Sequence, residues 1–268
     1  MSPLRKGQVR ASEGLASLIA GDPCRYLVYA VEQVAPLAGH RRLGRVLRKT
    51  RRRSQTVGWI HASDAAHPCD RLLAALLLGY DLRRRDHTPR LLRIFENGHM
   101  MHLRWQNSFM SLPPAWRVEV SPLLRHWPIV GEADVIVEHA EFGLVVVELK
   151  SIRDDGFRAL REPQPAHTAQ VGMYVGLAGG SPQVWYENKN DQKLTTFCPG
   201  CCPALAHSAA AFERTRERLL GLAERVLEGT LPNGCGECGL DDEIGELRID
   251  EERIRLLREE RDHAEAQS

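Results

Sequence analysis

Apolar and polar positions along the chain follow two regimes. Up to about residue 110 the apolar residues recur at helical spacing. "DPCRYLVYAVEQVAPLAGH" (22–40) has that period, with Asp22 placed as an N-cap and Pro23 at the first helical position. "HASDAAHPCDRLLAALLLGYD" (61–81) predicts a second helix buried on most sides, and "TPRLLRIFENGHMMHLRWQNSF" (88–109) a third. Beyond Pro114 the pattern changes to short Val-, Ile- and Leu-rich runs. "WRVEVSPLL", "IVGEADVIVEHA", "GLVVVELKSI" and "SPQVWYENKN" predict strands, with turns at Pro122, Glu141 to Gly143 and Gly179 to Gly180. "AHTAQVGMYVGLAG" predicts a helix between the last two strands. Ala204 to Gly229 predicts a long amphipathic helix, followed by Gly- and Cys-rich loops and a charged terminal helix. Helices, a three-stranded meander, a helix, a strand and a helix make a mixed α/β protein.

Composition adds little to that picture, and charge distribution adds more. The 268 residues are 43% hydrophobic and 26% charged, the balance of a globular chain able to bury a substantial core. No apolar run approaches the ~20 residues of a membrane helix, the longest being Leu72 to Tyr80. The start lacks the basic, apolar, small-residue succession of a secretory leader, so a cytoplasmic protein without a membrane partner is expected. Net charge is +1, yet "RRLGRVLRKTRRR" (41–53) holds eight basic residues and no acid. Such a cluster is either a solvated helix face or a phosphate-binding surface, in which Arg48, Lys49, Arg51, Arg52 and Arg53 would contact DNA.

The apolar hairpin "GEADVIVEHAEFGLVVVELKS" (131–151) carries acids and a base where strands should end. Side chains alternate along a strand, so Glu148 and Lys150 share a face and Leu149 takes the other. A turn at Glu141 to Gly143 brings Asp134 of the preceding strand within pairing distance. Two carboxylates and an ammonium would converge there, and burying them unpaired costs several kcal/mol each. Either they pair at a solvent-exposed strand end, or a divalent cation is shared. Oxygen ligands suit Mg²⁺ or Mn²⁺ and leave Lys150 to face a phosphate or an activated water.

With its flanking motifs this constellation resembles the PD-(D/E)XK nuclease superfamily, in particular the RecB-like exonucleases of CRISPR adaptation and of phages. Asp134, Glu148 and Lys150 match its D…ExK, "NGHMMH" its GxxxH helix through His102, and "QVGMY" its QxxxY through Gln170 and Tyr174. Glu119 falls where the family often has an acid, and "YENKN" (186–190) looks like the strand that follows in phage members. The resemblance runs from about Ile60 to Gly239. It implies a restriction-endonuclease-like core, a mixed central sheet flanked by helices, over residues 56–239. A helical, Arg-rich extension (1–55) would precede it and a charged helix or tail (240–268) follow it. Asp134, Glu148, the Leu149 carbonyl and His102 would hold the metal, Lys150 would orient the water or stabilise charge, and Gln170 and Tyr174 would position Lys150 and DNA.

The implied activity is metal-dependent DNA exonuclease action leaving 5′-phosphates, in recombination, repair or phage DNA processing in a bacterial or infected cell. Substrates would be single-stranded DNA or duplex ends, and a recombinase, single-strand-binding protein or helicase would be the partner. An endonuclease of the same superfamily and a non-catalytic DNA-binding or assembly protein with a structural zinc are the alternatives.

Seven cysteines without a secretory leader favour thiols or metal ligands over disulfides. In cluster-bearing RecB-like members one cysteine lies upstream of the core and three near the end. Cys69 matches the first, and Cys235 and Cys238 begin the downstream set, which a cysteine of "CPGCC" would complete around a 4Fe–4S cluster. The other reading pairs Cys198 and Cys201 with Cys235 and Cys238 around Zn²⁺. A third leaves the thiols without metal.

Overall fold

The computed structural model describes residues 27–32, 57–80, 89–236 and 247–267. Of the first predicted helix, residues 27–32 fall within this set and are helical, with Leu27 and Val31 fully buried. The basic residues Arg48, Lys49, Arg51, Arg52 and Arg53, and Cys238, lie outside the described residues.

A strand β1 (Ile60–His61) leads into helices α1 (Ala62–Ala65), α2 (Asp70–Leu77) and the long α3 (Pro89–Met110). Strands β2 (Trp116–Val120), β3 (Leu123–His126), β4 (Ile129–Glu132), β5 (Val135–His139) and β6 (Gly143–Ile152) follow. Helices α4 (Asp154–Ala159) and α5 (Pro165–Ala178) connect to β7 (Ser181–Asn188) and β8 (Leu194–Phe197). Helices α6 (Pro203–Ala206), α7 (Ser208–Leu227) and α8 (Glu251–Glu265) complete the described elements.

Two mixed sheets result. The larger has the order β2-β5-β6-β7-β8, with β6 and β7 parallel and the other neighbours antiparallel. The smaller has the order β1-β4-β3. β6 is the long central strand because its Val- and Leu-rich run is buried on both faces, as a strand covered on two sides requires. Val145, Val147 and Leu149 join Met101, Trp105 and Phe109 of α3 in one apolar layer. Val146 joins the opposite layer, built with Val171, Tyr174 and Val175 of α5 and Leu219, Leu222 and Val226 of α7.

Four predicted elements divide where the pattern read them as continuous. The helix at 61–81 breaks at His67 and Pro68, because proline removes a donor and biases its predecessor away from helix. α2 restarts with Cys69 as N-cap, its Sγ accepting from Leu72 N at 3.4 Å. The strands at 116–124 and 129–140 each split between the two sheets. Their pairing register nonetheless runs on unbroken, with Val120 facing Val135, Leu123 facing Glu132, and Ser121 N bonded to Asp134 O at 3.1 Å. Ser121, with φ of 51°, and Pro122 bend this ribbon out of the large sheet. The helix at 204–229 begins at Pro203 and is interrupted at His207.

The charged terminal segment, expected as a helix or tail, is a helix that packs against the core. Leu257 of α8 is fully buried, Trp59 Nε1 donates to Glu260 at 2.8 Å, and the Arg253 guanidinium lies 4.0 Å from the Tyr80 ring centre. Closer still is the approach of α5 to α7, where a Cβ added at Gly176 would meet Phe212 Cγ at 1.9 Å. Gly176→Ala is therefore expected to lower unfolding free energy by about 1–3 kcal/mol, the usual cost of overpacking, measured by urea denaturation.

Candidate active site

The last residue pair between β5 and β6 is Val135 with Val147. One step further the strands part, and Asp134 and Glu148 face each other across the opening. Leu149 N, which has lost its backbone partner on that side, donates instead to Asp134 Oδ2 at 2.8 Å. The other oxygen, Oδ1, is 2.9 Å from His102 Nδ1 of α3. The Asp134 carbonyl accepts from Ser121 N and from Gln106 Nε2 at 3.0 Å, so the backbone at the bend is tied from both sides.

Glu148 points to the α5 side and is 2% exposed. Its Oε1 receives Lys150 Nζ at 2.5 Å, while Oε2 is buried with no hydrogen-bond partner. Lys150 Nζ also donates to Gln170 Oε1 at 3.1 Å, and Gln170 Nε2 donates to the Tyr174 hydroxyl at 3.0 Å. Tyr174 is anchored by its own burial and by Gly131, where a Cβ would come within 2.5 Å of Tyr174 Cε1. The D…ExK, GxxxH and QxxxY motifs thus contribute two hydrogen-bonded chains, His102–Asp134–Leu149 N and Glu148–Lys150–Gln170–Tyr174, joined through the β6 backbone at Leu149.

Burial, reinforced by the Asp134 charge, pushes the Glu148 carboxyl well above its ordinary range, and Lys150 pulls it back without cancelling the effect. For His102 burial alone would lower the imidazole, but the hydrogen bond and charge of Asp134 outweigh it and leave the pKa raised. Two acids and a cation meeting at a site where one acid is buried is the kind of arrangement that shifts pKa values at functional positions.

Among the described residues no group of three or more His, Cys, Asp or Glu side chains is already gathered as an ion site. Asp134 is turned to His102 and Glu148 to Lys150. The donor set still suits a hard divalent cation, since the orphaned Glu148 Oε2 is a buried carboxyl oxygen lacking a partner beside a second carboxylate, and a cation would favour its ionised form.

Other sequence expectations separate from this centre. Glu119 is exposed and ion-paired with Arg117 at 3.5 Å on the β2 surface. Glu132 is exposed as well. Cys198 and Cys201 face each other with Sγ atoms 3.4 Å apart, in the turn that leads to α6. Cys69 is elsewhere: its neighbour Asp70 is held by Arg218 and Arg225 of α7. Along α7 that is ten residues or more beyond Ser208, roughly 15 Å at helical rise. Arg71 donates to the Pro232 carbonyl at 3.2 Å, so the segment leading to Cys235 lies beside Cys69. That contact brings the segment before Cys235 to α2, the helix that Cys69 caps.

Two polar residues of the YENKN strand, to which the motif gave no role, lie on β7 next to β6. Glu187 of β7 is buried and receives the Arg104 guanidinium and, at 2.6 Å, Trp105 Nε1. Tyr186, paired in register with Lys150, bonds His167 of α5. The signal for His167 was its spacing, three residues before Gln170 on the same helix face.

No family model matches the chain, and no curated protein matches it. The crystal structure of SSO0001 is similar over 72% of this chain and 86% of its own, at 14% identity and a TM-score of 0.37, a likeness too distant to carry an argument.

Both raised groups act on stability with the same sign. A group whose folded pKa exceeds its unfolded value stabilises fully below the unfolded pKa, and that contribution is lost as pH rises through the folded pKa. For Glu148 the loss runs from 4.5 to about 8, and for His102 it begins at 6.5. Thermal melts without divalent metal should show Tm falling as pH rises from about 4.5 to about 8, with His102 adding to the fall above 6.5. Glu148→Gln, which keeps the shape and removes the buried charge, should flatten that slope and raise Tm at the upper pH by roughly 2–4 °C.

Proposed function

We propose that this chain is a metal-dependent deoxyribonuclease with a PD-(D/E)XK, RecB-like core, acting as an exonuclease on DNA ends and leaving 5′-phosphates. The observation that carries the reading is Glu148 Oε2, a buried carboxylate oxygen with no partner, facing Asp134 where two strands part. A purely structural ion pair would leave no such atom unsatisfied.

Asp134, Glu148 and the Leu149 carbonyl would hold Mg²⁺ or Mn²⁺, together with His102, whose Nδ1 faces Asp134 and whose Nε2 is left over. When bound, the ion lowers the pKa of a water and stabilises charge on a phosphate. Glu148 Oε1 and Gln170 Oε1 hold two of the three Lys150 N–H groups, and the third is free for the scissile phosphate or the attacking water. Gln170 is itself oriented by Tyr174, so the ammonium is aimed before substrate arrives. The apolar layers on both faces of β6 keep this geometry rigid.

The Arg-rich stretch 41–53 supplies backbone contacts to DNA in this reading, on the strength of its charge alone. The contact of Arg71 with Pro232 supports a thiolate-bound cofactor near Cys69 and Cys235, with Cys238 a third ligand and one ligand of a 4Fe–4S cluster still to be supplied. It speaks against a zinc site shared with Cys198 and Cys201. A recombinase, single-strand-binding protein or helicase would be the partner that presents the DNA end.

The test is end-labelled linear DNA incubated with Mg²⁺ or Mn²⁺, beside a closed circular substrate. Wild type should degrade the linear DNA and spare the circle, while Lys150→Ala and Asp134→Asn lose roughly 10²-fold or more of the rate while still showing a cooperative folded-state melt. Undiminished cleavage by either variant removes the assignment, and equal cleavage of the circle makes the enzyme an endonuclease.

A further inference from the structure

The QxxxY pair accounts for only part of the side of α5 that faces the site. His167, Gln170 and Tyr174 follow one another at i, i+3 and i+7, so they stand in one column along the helix. His167 Nδ1 lies 2.8 Å from the hydroxyl of Tyr186, the fully buried β7 residue in register with Lys150.

The proton on that bond can be placed. The Tyr186 oxygen already accepts from Gln164 N at 2.9 Å. A buried phenol also needs an acceptor for its own proton. Burial pushes the Tyr186 hydroxyl up to about 12, helped by the Glu148 charge and opposed by the Gln164 bond, so it keeps that proton. The acceptor in contact is His167 Nδ1, and the imidazole is thereby fixed as the Nε2–H tautomer. Burial, with the nearby Lys150 charge, pushes His167 down to about 4 and keeps the ring neutral.

A neutral ring with Nδ1 occupied has one polar atom left, the Nε2–H donor. Among the described residues no hydrogen bond uses it. It stands one helical turn from the Gln170 amide that holds Lys150. We propose that His167 is a further substrate-binding residue, donating from Nε2–H to a non-bridging oxygen of the phosphodiester next to the one Lys150 faces. A neutral donor suits this place because a second cation would repel Lys150, whereas a fixed N–H adds a directed bond to an anion without that cost. The Tyr186 hydroxyl and Gln164 N–H serve to hold the donor's direction, as supporting groups do for a metal-ligating histidine.

The inference rests on the nuclease reading, and the experiment separates the two. Steady-state cleavage of one linear DNA with Mg²⁺ is measured for wild type, His167→Phe and His167→Gln, with a thermal melt of each. Phe keeps the ring's bulk without the donor, and Gln restores an N–H near the Nε2 position without the ring. His167→Phe should raise KM by ~10-fold with kcat within ~3-fold of wild type, and His167→Gln should recover most of the loss. Should His167→Phe melt early, Tyr186→Phe takes its place, since it leaves the imidazole and frees its tautomer; a KM raised by ~3-fold is then expected. Unchanged KM in the folded variant, or better recovery with Phe than with Gln, overturns the role of His167 and leaves the nuclease intact. A wild type that cleaves no DNA with Mg²⁺ or Mn²⁺ overturns both.

Discussion

Where β5 leaves β6, the amide of Leu149 loses its ladder partner, and the carboxylate of Asp134 takes that place at 2.8 Å. Much of the site follows from this substitution of a side chain for a strand. It fixes Asp134 opposite Glu148, leaves the Leu149 carbonyl at the mouth of the opening, and turns the second Asp134 oxygen toward His102 on α3. The opening exists because Ser121 and Pro122 bend the β2–β3 and β4–β5 ribbon into the second sheet at that level. Pairing continues through the bend, so the parting costs the ladder little.

From Lys150 the support runs outward in steps, each depending on a packed element. Gln170 holds the ammonium, Tyr174 holds Gln170, and Gly131 makes room for the Tyr174 ring. Gly176 lets α7 press α5 into position behind them. Against this rigidity stands a buried Glu148 whose second oxygen has no partner and whose carboxyl resists ionisation. Proteins tolerate such a local cost where binding or chemistry recovers it.

Much of this centre was legible from residue order alone. Period-two alternation and a turn at Glu141 to Gly143 suffice to set Asp134 against Glu148 and Lys150 beside it, and the observed register has that form. Gln170 and Tyr174 were legible as one helix face, and the structure extends the face to His167. The division into two sheets was not legible, because a ribbon with unbroken register reads as two continuous strands; Pro122 was the one local clue. β8 has four residues and α4 no buried side chain, so neither carries a period that can be read. The pairs Cys198–Cys201 and Cys235–Cys238 share the same spacing, so sequence order could not say which of them lies nearer Cys69; the contact of Arg71 with Pro232 is a tertiary fact.

The central claim is that Asp134 and Glu148 form a divalent-cation site that holds a phosphate against Lys150. Anomalous diffraction from crystals grown with Mn²⁺ and a short DNA tests it most directly. The account predicts a manganese peak within ~2.2 Å of Asp134, Glu148 and the Leu149 carbonyl, with a phosphate oxygen completing the shell. Density that leaves Glu148 bonded to Lys150 alone, with manganese elsewhere or absent, would contradict it.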